Sequence, residues 1–358
     1  MNNKYEVFLA LVKAGLFPFS DLQNRTCDFH GVDWAAVNGL AESQNVTGLA
    51  AAGIDHLKSH DTSFTIPQEW ALQFIGSTLR VEQRNQAMNS FIAGMIEEMR
   101  KEGIYAILVK GQGIAQCYEK PLWRPSGDVD LLLSEVNYKK AKELLLPLSS
   151  SNKNEERYSQ HLGMSIGLWY VEIHGSLRTG LSARVDKEVD AAQDSVFIGG
   201  NVRSWDNNGT LVFLPAPTED VFLVFTHFIK HFYKEGMTLR QVCDWCRLLY
   251  TYRESLDSGK LESWIRKSGL MGEWQSFASM AIEYLGMPVE AMPFYDSRFK
   301  LKGSRLVEFI LGGYSGNKVK DTWQIAKVFP WKALRYSPSI FLNVNWMKIK
   351  ERLFGGQG

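Results

Sequence analysis

Two aspartates stand two residues apart in the segment GDVDLLL, residues 127–133, whose other residues are mainly apolar. Side chains alternate between the faces of a strand, so Asp128 and Asp130 would project from one face and the apolar residues from the other. Adjacent carboxylates repel each other unless a cation lies between them, and oxygen ligands suit Mg²⁺ or Mn²⁺ better than zinc. The spacing therefore indicates a divalent-metal site, although the solvated face of an edge strand would also accommodate an isolated pair.

A third acid lies in the segment LWYVEIHG, where Glu172 and His174 share a face opposite Val171 and Ile173. This segment supplies the third acid on a second strand. His174 on the same face would contact substrate, orient a carboxylate or form a hydrogen bond in the core, and the sequence leaves these roles open.

A glycine turn precedes the aspartates. VKGQG at 109–113 follows the β-rich run IYAILV at 104–109 and leads into IAQCYEK, which gives the order strand, turn, helix. Free backbone N–H groups at the start of such a helix can hold phosphate oxygens. The turn lacks the GxxxxGK[ST] pattern of a Walker loop, so its position beside the acids carries the inference.

These motifs lie between two helical regions. The first hundred residues lack strand alternation, and the long helix that Gly103 ends has one apolar face. That face comprises Met88, Phe91, Ile92, Met95, Ile96 and Met99. After the acids, 137–148 reads as helical, MSIGLWYVEIHG as one strand, and DSVFIGGNVRSW and GTLVFL as weaker strands at a sheet edge.

The segment PAPTED at 215–220 marks a boundary, with Thr218 or Asp220 placed to cap the next helix. A helical hairpin broken at Glu235-Gly236 follows, then more helix to about residue 330 and the irregular FPWKALRYSPSIF. The prediction is an α+β fold with a mixed β-sheet core and helices. Its parts are an N-terminal helical region at 1–102, an α/β core at 103–214 and a C-terminal helical region at 215–358.

Composition restricts the class of protein. The 358 residues carry a net charge of +1, with 45% hydrophobic and 22% charged residues and four cysteines. This balance gives no general attraction to nucleic acid or anionic membranes and no disulfide framework. No apolar run is long enough for a spanning helix, and Lys13 interrupts the N-terminal run, unlike a signal peptide. We therefore expect a reduced cytoplasmic protein that does not bind membranes.

The residues around the acids resemble a known family. LVKGQG, YEKPLWRPSGDVDLLL and VEIHGSL are similar to a bacterial family of uncharacterised nucleotidyltransferases within the polymerase-beta-like superfamily. NVTGLAAAGI upstream, and FTHFIKH and LRQVCDWCRLL downstream, extend the resemblance over most of the chain. The superfamily usually has Gly-Ser or Gly-Gly where this chain has Gly111-Gln112-Gly113, so the resemblance supports the metal-binding acids more strongly than the turn.

The resemblance implies an Mg²⁺- or Mn²⁺-dependent nucleotidyltransferase that uses an NTP. It implies that Asp128, Asp130 and Glu172 bind metal and that Glu172 is also a candidate base. Lys110 and Arg124 are candidates for neutralising the triphosphate, with hydrogen bonds from Ser126, Gly111 and Gly113. Alternatively, Lys110 is solvated at a strand end, and Arg124 pairs with Glu119 or another nearby acid.

The C-terminal hairpin offers a second set of polar residues. His227 and His231 are one turn apart, as are Cys243 and Cys246, which would allow a zinc site. Because both segments are strongly apolar, a buried helix interface is favoured. Arg240 and Asp244, four residues apart, are expected to form an ion pair. His231, Arg240 and Asp244, with His174, are candidates for contacting substrate or supporting the site.

Two functions from different classes follow. The first is an enzyme that moves an NMP from an NTP to an acceptor hydroxyl on a small molecule, a sugar derivative or a protein. The second is a catalytically inactive nucleotide-binding regulator or scaffold, for which the Gly-Gln-Gly turn is the only cue. The intact acids favour the enzyme, and the lack of a basic, aromatic stripe disfavours a nucleic-acid polymerase. The acceptor, the base of the NTP and the oligomeric state are not indicated.

Overall fold

The computed structural model describes residues 3–18, 27–61, 64–156, 158 and 160–336. These residues form fourteen α-helices and seven strands. The helices are α1 (Asn3–Leu16), α2 (Trp34–Ser43), α3 (Thr47–His60), α4 (Gln68–Lys101), α5 (Gly111–Ala115), α6 (Glu135–Leu145), α7 (Ala183–Phe197), α8 (Pro217–Lys234), α9 (Leu239–Tyr252), α10 (Ser258–Ser268), α11 (Met271–Leu285), α12 (Lys300–Gly312), α13 (Lys318–Val328) and α14 (Pro330–Tyr336). The strands are β1 (Ala106–Val109), β2 (Asp128–Leu133), β3 (Ser151–Asn152), β4 (His161–Ile166), β5 (Trp169–His174), β6 (Val202–Asn207) and β7 (Thr210–Pro215). None of these helices is both long and apolar enough to cross a bilayer.

All seven strands belong to one mixed sheet in the order β3-β4-β5-β2-β1-β7-β6. β1 runs antiparallel to β2 and parallel to β7, and β2 runs parallel to β5. One face of the sheet packs its apolar side chains against α4 and α6. The predicted apolar face of α4 is confirmed, since Met88, Ile92 and Met99 are fully buried there. The predicted α+β fold with a mixed sheet and flanking helices is therefore confirmed.

Three strand predictions were wrong in detail. MSIGLWYVEIHG is a hairpin of β4 and β5 rather than one strand, because Gly167 takes a positive φ of 58° and turns the chain. The predicted strand DSVFIGGNVRSW begins inside a helix, because residues 194–197 are the last turn of α7. The strand β6 comprises only residues 202–207. β7 is not an edge strand, because it lies between β1 and β6.

Two predictions about helix boundaries were also wrong. α8 begins at Pro217 with Ala216 at the cap, and neither Thr218 nor Asp220 caps it. Thr218 accepts a hydrogen bond from the backbone of Asp257, and Asp220 pairs with Arg203. The segment expected to be irregular is helical over 330–336 in α14, and residues 337–358 lie outside the described part of the chain. The hairpin of α8 and α9, broken at 235–236, is confirmed.

The largest hydrophobic cluster joins helices that precede the strands in the sequence to helices that follow them. It contains buried side chains of α1 and α3 together with those of α8, α9 and α11. Ile114 and Cys117, which follow the glycine turn, belong to the same cluster. The division into regions at 1–102, 103–214 and 215–358 stays a prediction.

The crossing of α1 and α3 depends on glycine. A Cβ on Gly53 would overlap the carbonyl oxygen of Leu11. We expect Gly53→Ala to lower the free energy of unfolding by about 1–3 kcal/mol, because two backbones would have to separate. Urea denaturation measures this loss. Gly94→Ala at an exposed position of α4, where a Cβ meets no atom within 4 Å, should instead stabilise the protein by up to about 1 kcal/mol. Equal effects of the two variants would contradict this account of the crossing.

Candidate active site

Three carboxylates meet where β2 and β5 lie side by side. Asp130 is in register with Glu172 across the parallel pair, and Asp128 is two residues earlier on the same face of β2. One oxygen from each of the three acids lies within 4.8 Å of the other two. Asp130 is 2% exposed, whereas Asp128 and Glu172 are partly exposed. The structure thus brings together the three acids predicted from the sequence.

The two aspartates differ in their surroundings. Lys110 Nζ and His174 Nε2 each donate to Asp130 Oδ1 over 2.9 Å. Burial alone would raise the pKa of Asp130, but Lys110 and His174 hold it well below its ordinary value. No described side chain donates a hydrogen bond to Asp128, and burial together with the Asp130 charge raises its pKa. Among the described residues, Lys110 and Arg240 act on the charge of Asp128 only without a hydrogen bond to it.

His161 is a site residue that the sequence analysis missed. It lies on β4 directly opposite His174 in the β4–β5 hairpin, and the two rings stack in parallel with centroids 4.6 Å apart. His161 Nε2 lies 3.2 Å from Glu172 Oε2, and this contact raises the pKa of His161. The pKa of Glu172 is lowered: burial opposes the shift, and His161 causes it. The signal was present in the sequence, because a hairpin turn at Gly167 places the two histidines opposite each other.

The stacked histidines are suited to orienting acids. A nitrogen lone pair lies in the plane of its imidazole ring, so two parallel stacked rings cannot both direct Nε2 at one ion without rotating. His174 donates a hydrogen bond to Asp130, whereas His161 Nε2 contacts Glu172 without forming a hydrogen bond to any described residue. Burial lowers the pKa of His174, which favours its neutral form. Each histidine therefore lies against one carboxylate, and His174 restricts the orientation of Asp130 as hydrogen-bonded partners of metal ligands do.

The glycine turn is short and closely packed. Lys110 and Gly111 both have positive φ, 60° and 41°, and α5 has only five residues. A Cβ on Gly113 would lie 2.7 Å from a methyl group of Leu214, so β7 packs directly on this glycine. Gln112, where the superfamily usually has Ser or Gly, donates to Asn85 Oδ1 over 2.8 Å. The unusual glutamine anchors the turn to α4.

Ser126 lies beside the turn. A Cβ on Gly111 would lie 3.2 Å from Ser126 Oγ, and this hydroxyl is buried without a hydrogen-bond partner among the described residues. The backbone of Gly111 and the hydroxyl of Ser126 are thus adjacent, as expected if they serve one ligand. Their role in binding nucleotide stays a prediction.

Arg124 forms a buried ion pair with Asp244 of α9. Its Nε and Nη2 donate to the two carboxylate oxygens of Asp244 over 2.7 and 2.6 Å, and Tyr118 Oη donates to Asp244 over 2.8 Å. The predicted Arg240–Asp244 ion pair is therefore wrong, because Asp244 is taken by a bidentate partner 120 residues away in sequence. Arg240 instead donates to the carbonyl of Pro125 over 2.8 Å. Both arginines fasten the loop before Asp128 to α9, and phosphate binding by Arg124 stays a prediction.

The histidines and cysteines of the hairpin do not converge with the acids on one candidate metal site among the described residues, although the charges of Lys110 and Asp130 act on His227. His231 Nε2 lies 2.9 Å from His227 Nε2, and His231 Nδ1 lies 2.9 Å from Glu235. Cys243 and Cys246 are fully buried. Within the described residues, the converging sets of three or more candidate metal-binding side chains lie around Glu172 and include neither pair. A role of His231 in contacting substrate stays a prediction.

Comparisons with known proteins agree with the resemblance noted in the sequence. A family model described as uncharacterised nucleotidyltransferase matches residues 30–286, which include all three acids, the glycine turn and the helical hairpin. No curated protein and no solved structure matches significantly. The match spans well over half of the chain and includes the carboxylate cluster. The chain belongs to the family of uncharacterised nucleotidyltransferases.

Proposed function

We propose that the protein transfers an NMP from an NTP to an acceptor hydroxyl, with release of pyrophosphate, in a reaction that depends on Mg²⁺ or Mn²⁺. The observation that carries the proposal is the convergence of Asp128, Asp130 and Glu172 on one face of two neighbouring strands. The acceptor would be a small molecule, a sugar derivative or a protein. Family membership supports the general reaction class.

The three acids fit divalent metal ions. The ligand atoms that these three acids offer are all carboxylate oxygens, which Mg²⁺ prefers. No described side chain donates a hydrogen bond to Asp128, and burial, followed by the charge of Asp130, raises its pKa; a bound cation would offset the repulsion between the two carboxylates. Bound divalent ions would stabilise the attacking and the departing oxygen of an in-line transfer.

Each residue has a proposed role. Asp128 and Asp130 bind the metal ions, and Glu172 binds on the acceptor side and takes the hydroxyl proton. Lys110 neutralises the triphosphate, and Ser126 and the backbone of the turn donate hydrogen bonds to it. Arg124 contributes by holding the loop that carries Ser126, since Asp244 already accepts from its guanidinium group.

Incubation with each labelled NTP and a cell extract tests turnover and labels the acceptor. We expect pyrophosphate release and transfer of label from one or more NTPs. In parallel, Mg²⁺ with NTP should raise the melting temperature of the wild type but not of an Asp128→Asn/Asp130→Asn double variant. Asp190→Asn, which removes a partly exposed partner of Arg178, controls for loss of charge.

The results separate the proposed enzyme from the alternative. An equal melting-temperature rise in the double variant would contradict metal binding by the two aspartates. Tight nucleotide binding with no pyrophosphate release from any NTP would favour a nucleotide-binding regulator.

A further inference from the structure

The ammonium group of Lys110 lies where a divalent cation would be attracted. Lys110 Nζ contacts Asp130 Oδ1 at 2.9 Å, and the Lys110 side chain is only 17% exposed. The charges of Asp128 and Glu172 also act on this ammonium. Three carboxylates therefore already share one positive charge before any metal binds.

The backbone fixes this arrangement. Val109 is in register with Asp130 across the antiparallel strands β1 and β2, so Lys110 leaves β1 next to the acid. The backbone of Lys110 has a φ of 60°, which residues other than glycine rarely adopt. Such conformations persist where the surrounding structure enforces them, and they cluster at functional sites.

Cations close together repel each other strongly in a partly buried site. A divalent ion bound between Asp128 and Asp130 would therefore compete with Lys110 for Asp130. The flexible four-carbon stem of lysine lets its ammonium group move to another anion without moving the backbone. The phosphates of a nucleoside triphosphate are such an anion, and they enter the site together with the metal ion.

We propose that Lys110 is a built-in counter-cation that pairs with Asp130 until the metal–nucleotide complex binds and then transfers to the triphosphate. This inference rests on the proposed function. It predicts ordered binding: free divalent ions bind weakly, and the metal enters as its nucleotide complex. A purely structural Lys110–Asp130 ion pair would make neither prediction.

Lys110→Met distinguishes these roles, because it keeps the length of the side chain and removes the charge. We expect Mn²⁺ without nucleotide, measured by electron paramagnetic resonance, to bind about tenfold more tightly than in the wild type. The affinity for Mg²⁺ with a non-hydrolysable ATP or GTP analogue should fall by a similar factor. Lys120→Met is the matched control, since Lys120 pairs with Asp55 in the helical region and should change neither affinity.

The inference predicts that Lys110→Met strengthens the binding of free Mn²⁺ and weakens the binding of the metal–nucleotide complex, and these opposite changes can be tested. Unchanged or weaker Mn²⁺ binding in Lys110→Met, with binding still lost in Asp128→Asn/Asp130→Asn, would overturn the inference and leave the proposed metal site intact. Mn²⁺ binding that does not depend on the aspartates would contradict the metal site and the inference together. If Lys110→Met does not fold, Lys110→Gln replaces it, and Lys110→Arg, which keeps the charge, should retain weak Mn²⁺ binding.

Discussion

Glu172→Gln is expected to slow pyrophosphate release by about 10³-fold while leaving the affinity for the metal–nucleotide complex within about twofold. The substitution removes the proposed base and one metal ligand on the acceptor side but keeps both aspartates. His161 would still contact the amide, so the local packing is preserved. Steady-state release of pyrophosphate and nucleotide binding at equilibrium measure the two effects separately.

Glu98→Gln is a suitable control for the Glu172 variant. Glu98 is an exposed acid of α4 paired with Lys101, and its loss should leave both quantities unchanged. If Glu172→Gln weakened nucleotide binding as much as it slowed turnover, Glu172 would belong to the nucleotide side of the site. Full activity in this variant would contradict its role as a base.

Asp244→Ala is expected to lower the free energy of unfolding by about 3–5 kcal/mol, because it leaves the Arg124 guanidinium buried without its counter-charge. Arg124 is 5% and Asp244 4% exposed, so water cannot replace the lost partner. Tyr118 would also lose its acceptor. Urea denaturation of the variant and the wild type measures the difference.

Two further variants test the origin of this loss. Asp190→Ala breaks the partly exposed Arg178–Asp190 pair and should cost no more than about 1 kcal/mol. Replacing both members by apolar residues, in Arg124→Met/Asp244→Leu, should recover much of the stability, since neither charge of the pair is left without its partner. A double variant as unstable as Asp244→Ala would contradict the explanation from an unpaired charge.

The central acids could be predicted because strand geometry is local. Alternation along a strand placed Asp128 with Asp130 and Glu172 with His174, and the structure brings all four together. The strand, turn and helix around Gly111 are likewise set by a few neighbouring residues. The match to a known family added the reaction class, which geometry alone does not give.

The missed features depend on contacts between distant residues. His161 was overlooked because reading β4 and β5 as one strand hid the turn that places it opposite His174. The expected Arg240–Asp244 pair followed the rule for neighbours on a helix, but a buried bidentate contact from Arg124 is stronger. No local sequence pattern indicates that the loop before Asp128 lies against α9.

The strand order of the sheet has a consequence for how the chain folds. β1 pairs with β2 through a short connection, but its other neighbour is β7, and Ile107 is paired with Phe213, which lies 106 residues further along. Closing so long a loop is slow compared with forming local contacts. During synthesis from the N-terminus, the strands that carry all three acids therefore emerge before β7 can cover the exposed edge of β1, so this edge is open to mispairing until about residue 215 has been made.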